Sequence, residues 1–135
     1  MSKLPPRRIL RSIVMDAISD REGFNDPSIA DETAATIRGH KALLERLSDN
    51  APPLDEEAKD SLALACLHAR IWRESYVDSW LSTGEKNIIL RARQDVHKID
   101  RVEKALGFRY RMQADVEMAN AKTISLADIP LETAQ

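Results

Sequence analysis

The chain has 135 residues, of which 43% are hydrophobic and 31% charged, which suits one globular domain and excludes a disordered chain. Aromatics make up only 4%, with 4 Gly and 6 Pro, so the core must rest on Leu, Ile, Val and Ala. That composition disfavours a turn-rich β architecture and predicts an all-α bundle.

The net charge of −2 hides segregation: residues 1–11 carry +4, 12–60 carry −7, 61–85 carry −1, 86–111 carry +5 and 112–135 carry −3. Two basic islands in an acidic chain suit nucleic acid or the acidic segments of neighbouring subunits, with solvated faces as the plainer alternative. Cys66 is the single cysteine, so no internal disulfide forms and a reducing compartment is expected. No run approaches the roughly 18 apolar residues of a membrane span, and a soluble cytoplasmic protein is the expectation.

The first predicted helix spans about residues 7–21, where Ile9, Ile13, Val14, Ala17 and Ile18 recur at helical spacing behind Pro5 and Pro6. Its first turn is basic, a mismatch with the helix dipole that an external anion would relieve. Asp26 and Pro27 then supply an N-cap and a first-turn residue for a second helix running to about Leu47. Its apolar positions are thin, and Gly39 weakens its middle.

Asp55 caps a long third helix predicted to reach about Ser82, with Glu56 and Glu57 at the positive end of its dipole. Leu62, Cys66, Ala69, Trp72, Tyr76 and Trp80 mark one apolar face; Leu64, Leu67 and Ile71 mark another. Two faces predict neighbours on both sides. Gly84 suits the left-handed position that closes this helix.

A fourth helix is predicted from about Asn87 to Leu106 on the stripe Ile89, Ala92, Val96, Ile99, Val102 and Leu106, ended by Gly107. Helices three and four should form an antiparallel hairpin. The next stretch, Gly107 to Met112, alternates two aromatics with two arginines. The helical template accounts for more of its neighbours, including Val116 and Ala119, so a short fifth helix is predicted, with an extended segment as the alternative. Around Pro130, Ile124, Leu126, Ile129 and Leu131 read as a docking peptide or as a tail packed on its own domain.

No catalytic constellation is visible. His40, His68 and His97 fall on three predicted helices, and Cys66 and His68 point to different sides of one helix. There is no Gly-rich phosphate loop. Asp95 with Asp100, and Glu56 with Asp60, read as solvated faces. No catalytic, cofactor or metal site is expected, and the chain is expected not to be an enzyme. Trp72, Tyr76 and Trp80 on one stripe serve either core packing or a subunit interface.

The segment from Leu62 to Leu106, followed by Gly107 and Phe108, pairs a long Trp-bearing helix, a "STG" turn, a second helix and Leu-Gly. It resembles the helical hairpin of small terminase subunits from tailed phages and related prophage elements. It departs from the family's common Asn-Pro before the second helix and from the Thr-Pro and Arg that often follow Leu-Gly. The resemblance implies a ring-shaped homo-oligomer that binds double-stranded DNA and presents it to a large terminase, a separate ATPase and nuclease. Residues 1–50 would form a peripheral, DNA-contacting region, 51–107 the oligomerising hairpin, and 108–135 a short helix and docking tail. Under that reading Lys3, Arg7, Arg8, Arg11, Arg91, Arg93, Lys98 and Arg101 are the expected DNA contacts. Leu62, Cys66, Trp72, Tyr76, Trp80, Ile89, Val96 and Ile99 are the expected subunit interface, and Ile124, Leu126, Ile129 and Leu131 dock the large subunit. The alternatives are a helical adaptor acting through protein contacts without DNA, and a helix-turn-helix regulator, for which the acidic start of the second helix is a poor match.

Overall fold

The structure is a computed structural model that describes residues 4–23, 26–74 and 76–110. Among these, every regular element is helical: α1 (Arg7–Glu22), α2 (Ala30–Glu45), α3 (Glu56–Glu74), α4 (Val77–Thr83) and α5 (Lys86–Ala105), with a 3₁₀ turn at Pro27–Ile29 before α2. The expected all-α architecture is what forms.

The stop and start signals act locally as the residue types demand. The Asp26 carboxylate accepts the Ser28 N–H at 2.9 Å and caps the 3₁₀ turn. The Asp55 carboxylate accepts the Ala58 N–H at 2.8 Å, opening α3. That bond, then the Arg46 guanidinium, holds the Asp55 carboxyl below the usual carboxylate range. Gly84 closes α4 at φ 71°, a left-handed conformation that glycine adopts without a Cβ clash.

α3 lies at the centre, packed on α1, α2 and α5, and its contact with α1 is the most extensive in the fold. Ala58, Ala63, Ala65 and Ala69 on α3 meet Ala17 on α1 within one core, and small side chains let two helix axes approach closely. Leu10 and Val14 from α1, Leu43 and Leu47 from α2 and its end, and Ile99, Val102 and Leu106 from α5 and its end complete that core. Each fully buried Leu or Val contributes about 1.5–3 kcal/mol. The N-terminal helices therefore share a core with α3 and α5.

The long third helix does not run unbroken to Ser82. α3 stops at Glu74, the Tyr76 N–H bonds the Arg73 carbonyl at 3.3 Å, and α4 begins afresh. No proline or glycine marks the break. The cause is tertiary: beyond Ala69 the main core gives way to a second, smaller cluster, where Trp80 packs against Ile89, Ala92 and Val96. The hairpin is thus α3 and α4 in turn laid against α5.

Residues 108–110 form a turn; the rest of the predicted fifth helix, with Met112, Val116 and Ala119, lies outside the described residues. The Gly107 N–H bonds the Lys104 carbonyl at 3.2 Å and the Phe108 N–H bonds the Glu103 carbonyl at 2.8 Å, closing α5 in a Schellman motif. The chain then turns back, and Arg109 pairs with Glu56 at 2.9 Å while the Tyr110 hydroxyl donates to Asp60 at 3.0 Å.

A charged seam crosses the helices. Arg70 of α3 is 1% exposed and pairs with Asp100 and Glu103 of α5. One turn on, Arg73 pairs with Asp16 of α1, reaches Asp95 of α5 at 2.9 Å and lies over the Trp72 ring at 4.6 Å. Burial raises the Asp16 carboxyl pKa, and the Arg73 charge opposes that rise. Removing one partner of such a pair leaves the other's charge in a poorly solvated place. Arg70→Met is therefore expected to destabilise the fold by about 3–5 kcal/mol in urea unfolding. Arg70→Met combined with Glu103→Leu should recover most of that loss.

Candidate functional site

The outer face of α5 is strongly polarised. Lys86, Arg91, Lys98, Arg101 and Lys104 are exposed along it, with Gln94 and His97 between them. The three acids of the same helix turn inward: Asp95 and Asp100 are half-buried against Arg73 and Arg70, and Glu103 is buried against Arg70. Helical geometry explains the sorting. Asp100 and Glu103 lie three apart on the α3-facing side, while Arg91, Lys98 and Arg101 fall on the far side at spacings of seven and three. Lys98 keeps a long 3.8 Å contact with Asp95. No ion pair holds Lys86, Arg91, Arg101 or Lys104 among the described residues.

Arg93, also expected to reach DNA, is half-buried, and its Nε is shielded from solvent with no hydrogen-bond partner among the described residues. The N-terminal island is used differently. Arg7 donates to the Arg46 carbonyl at 2.9 Å and the Pro52 carbonyl at 3.0 Å. Arg11 donates to the Leu47 carbonyl at 2.8 Å and pairs with Asp49 at 2.9 Å. Both guanidinium groups satisfy carbonyls just past the end of α2, which have no helical partner of their own. Arg8 is exposed, and lines with Lys98 a cleft of about 290 Å³ between α1 and α5. Lys3 lies outside the described residues.

The residues expected at a subunit interface divide in two. Leu62, Cys66, Ile89, Val96 and Ile99 are buried by the chain's own helices and offer no surface to a second copy. Burial also pushes the Cys66 thiol pKa up. Trp72 and Trp80 are half-buried and Tyr76 is 46% exposed. Their rings form a ladder, Trp72 edge-on to Tyr76 at 5.7 Å and Tyr76 stacked on Trp80 at 5.9 Å. Leu81 and Ile88 are exposed at the same α4–α5 end. The docking-tail residues Ile124, Leu126, Ile129 and Leu131 lie outside the described residues.

One feature escaped the sequence. His40 of α2 and His68 of α3 meet inside the fold, Nε2 to Nδ1 at 2.8 Å, with one imidazole N–H donating to the other's bare nitrogen. They are 28 residues apart, and the only available signal was that His40 shares a helical face with Leu43 and Leu47. Burial, followed by the nearby Arg21 charge, lowers His40 to about 4 and His68 to about 3. No group of three or more His, Cys, Asp or Glu among the described residues could hold a metal ion. No helix among them is long and apolar enough to cross a membrane.

No protein-family model matches the chain, and no curated protein or solved structure matches it either.

The histidine pair makes stability depend on pH. Both groups bind protons more weakly folded than unfolded, so their stabilising effect is complete above about pH 6.5 and is lost as pH falls toward 4. With both groups lowered by that much, urea unfolding is expected to show about 3–4 kcal/mol less stability at pH 5 than at pH 7. His40→Gln with His68→Gln should flatten that difference.

Proposed function

We propose that the chain is a non-catalytic DNA-binding subunit whose contact surface is the outer face of α5. The observation that carries this reading is the sorting of charge on that helix: five exposed cations, against three acids that are buried or half-buried and paired with Arg70 or Arg73. Such a strip attracts polyanions over long range and contacts phosphates in register with a helix laid along a groove or backbone. The reading keeps Arg91, Lys98 and Arg101 as DNA contacts and adds Lys86 and Lys104. It leaves Arg7 and Arg11 to the structural work described above.

The small-terminase likeness of the hairpin extends the proposal to an oligomer that presents viral DNA to a large ATPase and nuclease subunit. Support for self-association comes from the α4–α5 end, where Tyr76, Leu81 and Ile88 stay exposed beside the half-buried Trp80. Aromatic and aliphatic residues exposed together are what subunit contacts cover.

Titration of labelled duplex DNA across a salt series tests the phosphate assignment. Alanine at Arg91, Arg101 and Lys104 together is expected to lower the log–log salt slope by about 0.9 for each phosphate no longer neutralised. An unchanged slope would remove α5 as the DNA-binding face. Arg7→Ala and Arg11→Ala should lower the melting temperature and leave the slope alone.

Native mass spectrometry tests assembly separately. A mass of several subunits is expected, falling toward a monomer in Leu81→Glu with Ile88→Glu. A solitary wild-type chain at high concentration would remove the ring.

A further inference from the structure

We propose that Phe108 is a stacking wedge at the end of the α5 cationic strip, so that this surface favours nucleic acid with an unpaired base over intact duplex. The proposal rests on the reading of α5 as a phosphate-binding face, and adds to it a group that contacts bases.

Phe108 is 48% exposed, although a Phe ring gains more than most side chains from burial. It is also the only non-glycine residue with positive φ among those described, at 56°. A residue with a Cβ adopts that conformation at a cost of about 1–2 kcal/mol, which Gly would avoid. The Schellman bond from the Phe108 N–H to the Glu103 carbonyl holds the backbone there, so the ring is presented from a fixed helix end. Strain of this kind collects where a side chain has to be aimed.

The surroundings identify what the ring faces. Phe108 lines a groove of about 560 Å³ with His97, Arg101, Lys104 and Asp100. Asp100 gives one carboxylate oxygen to Arg70, which leaves cations to dominate the groove. An apolar peptide would meet charge on most of these walls. A nucleotide matches them: its phosphate meets Arg101 and Lys104, and its base has a flat face for the ring. The neighbouring aromatic and arginine are committed elsewhere. Arg109 donates to the Leu106 carbonyl at 3.0 Å and to Glu56 at 2.9 Å, and the Tyr110 hydroxyl donates to Asp60. Phe108 is thus, among the described residues, the ring that lines the cationic groove. In intact duplex the base faces are stacked on one another, so the ring finds a partner only where a base is bulged, frayed or single-stranded.

Fluorescence anisotropy with the full chain tests this on two probes of equal charge density: a blunt duplex, and the same duplex with one bulged adenine. Wild type is expected to bind the bulged probe about tenfold tighter, the order of one base–aromatic stack. Phe108→Ala should erase that preference while leaving blunt-duplex affinity, its salt slope and the melting temperature unchanged. Phe108→Tyr, which keeps the stacking face, should retain the preference. Equal wild-type affinity for both probes, or a preference that survives Phe108→Ala, would overturn the wedge. So would an equal loss on both probes in Phe108→Ala. If equal binding to both probes is still lost in Arg101→Ala, the wedge falls and the phosphate-binding face stands. Binding to neither probe would overturn both.

Discussion

Arg70 and Arg73 are the two groups on which this arrangement of helices depends. They stand three residues apart on the central helix and neutralise Asp16 from one neighbour and Asp95, Asp100 and Glu103 from another. A hydrophobic core by itself is tolerant of rotation, because apolar contacts have little directionality. Guanidinium–carboxylate bonds have direction, so they fix which face of α5 meets α3. Once Asp95, Asp100 and Glu103 are drawn inward, the remaining charge on α5 must face out, and nearly all of it is positive. The candidate DNA-binding face is therefore the outer consequence of an inner pairing.

Much of the helical layout was legible in the sequence. The stripe from Ile89 to Leu106 specified the buried face of α5, since every member of it is buried. The caps at Asp26 and Asp55 and the stop at Gly84 lie where residue chemistry placed them. The break after Glu74 was not legible, because no local breaker marks it and the competition between two hydrophobic clusters arises only once the chain is folded. The turn at 108–110 failed for a similar reason. Helical periodicity continued through it, but Arg109 and Tyr110 found acids on the first turns of α3.

The candidate site was legible by half. Charge counting located the basic stretch 86–111 but treated residues 7–11 as its equal. A count of charges cannot distinguish an arginine facing water from one satisfying carbonyls 39 residues away, as Arg7 does at Arg46. Nor can it see that three acids within a basic segment are drawn into pairs with Arg70 and Arg73. The apolar residues assigned to an interface show the same limit: periodicity finds a greasy face but not who covers it. Leu62 and Cys66 are covered by the chain itself, whereas Tyr76, Leu81 and Ile88 are not.

The division of the interior into two clusters gives the molecule unequal halves. α4 and the first half of α5 are tied together by Trp80, Ile89, Ala92 and Val96, a much smaller group than the one that joins α1, α2, α3 and the second half of α5. The cooperativity of a region follows the apolar contacts it shares with the rest. The sparser apolar contacts of the α4–α5 end predict that its amides exchange with solvent through openings smaller than global unfolding, ahead of those in the larger half.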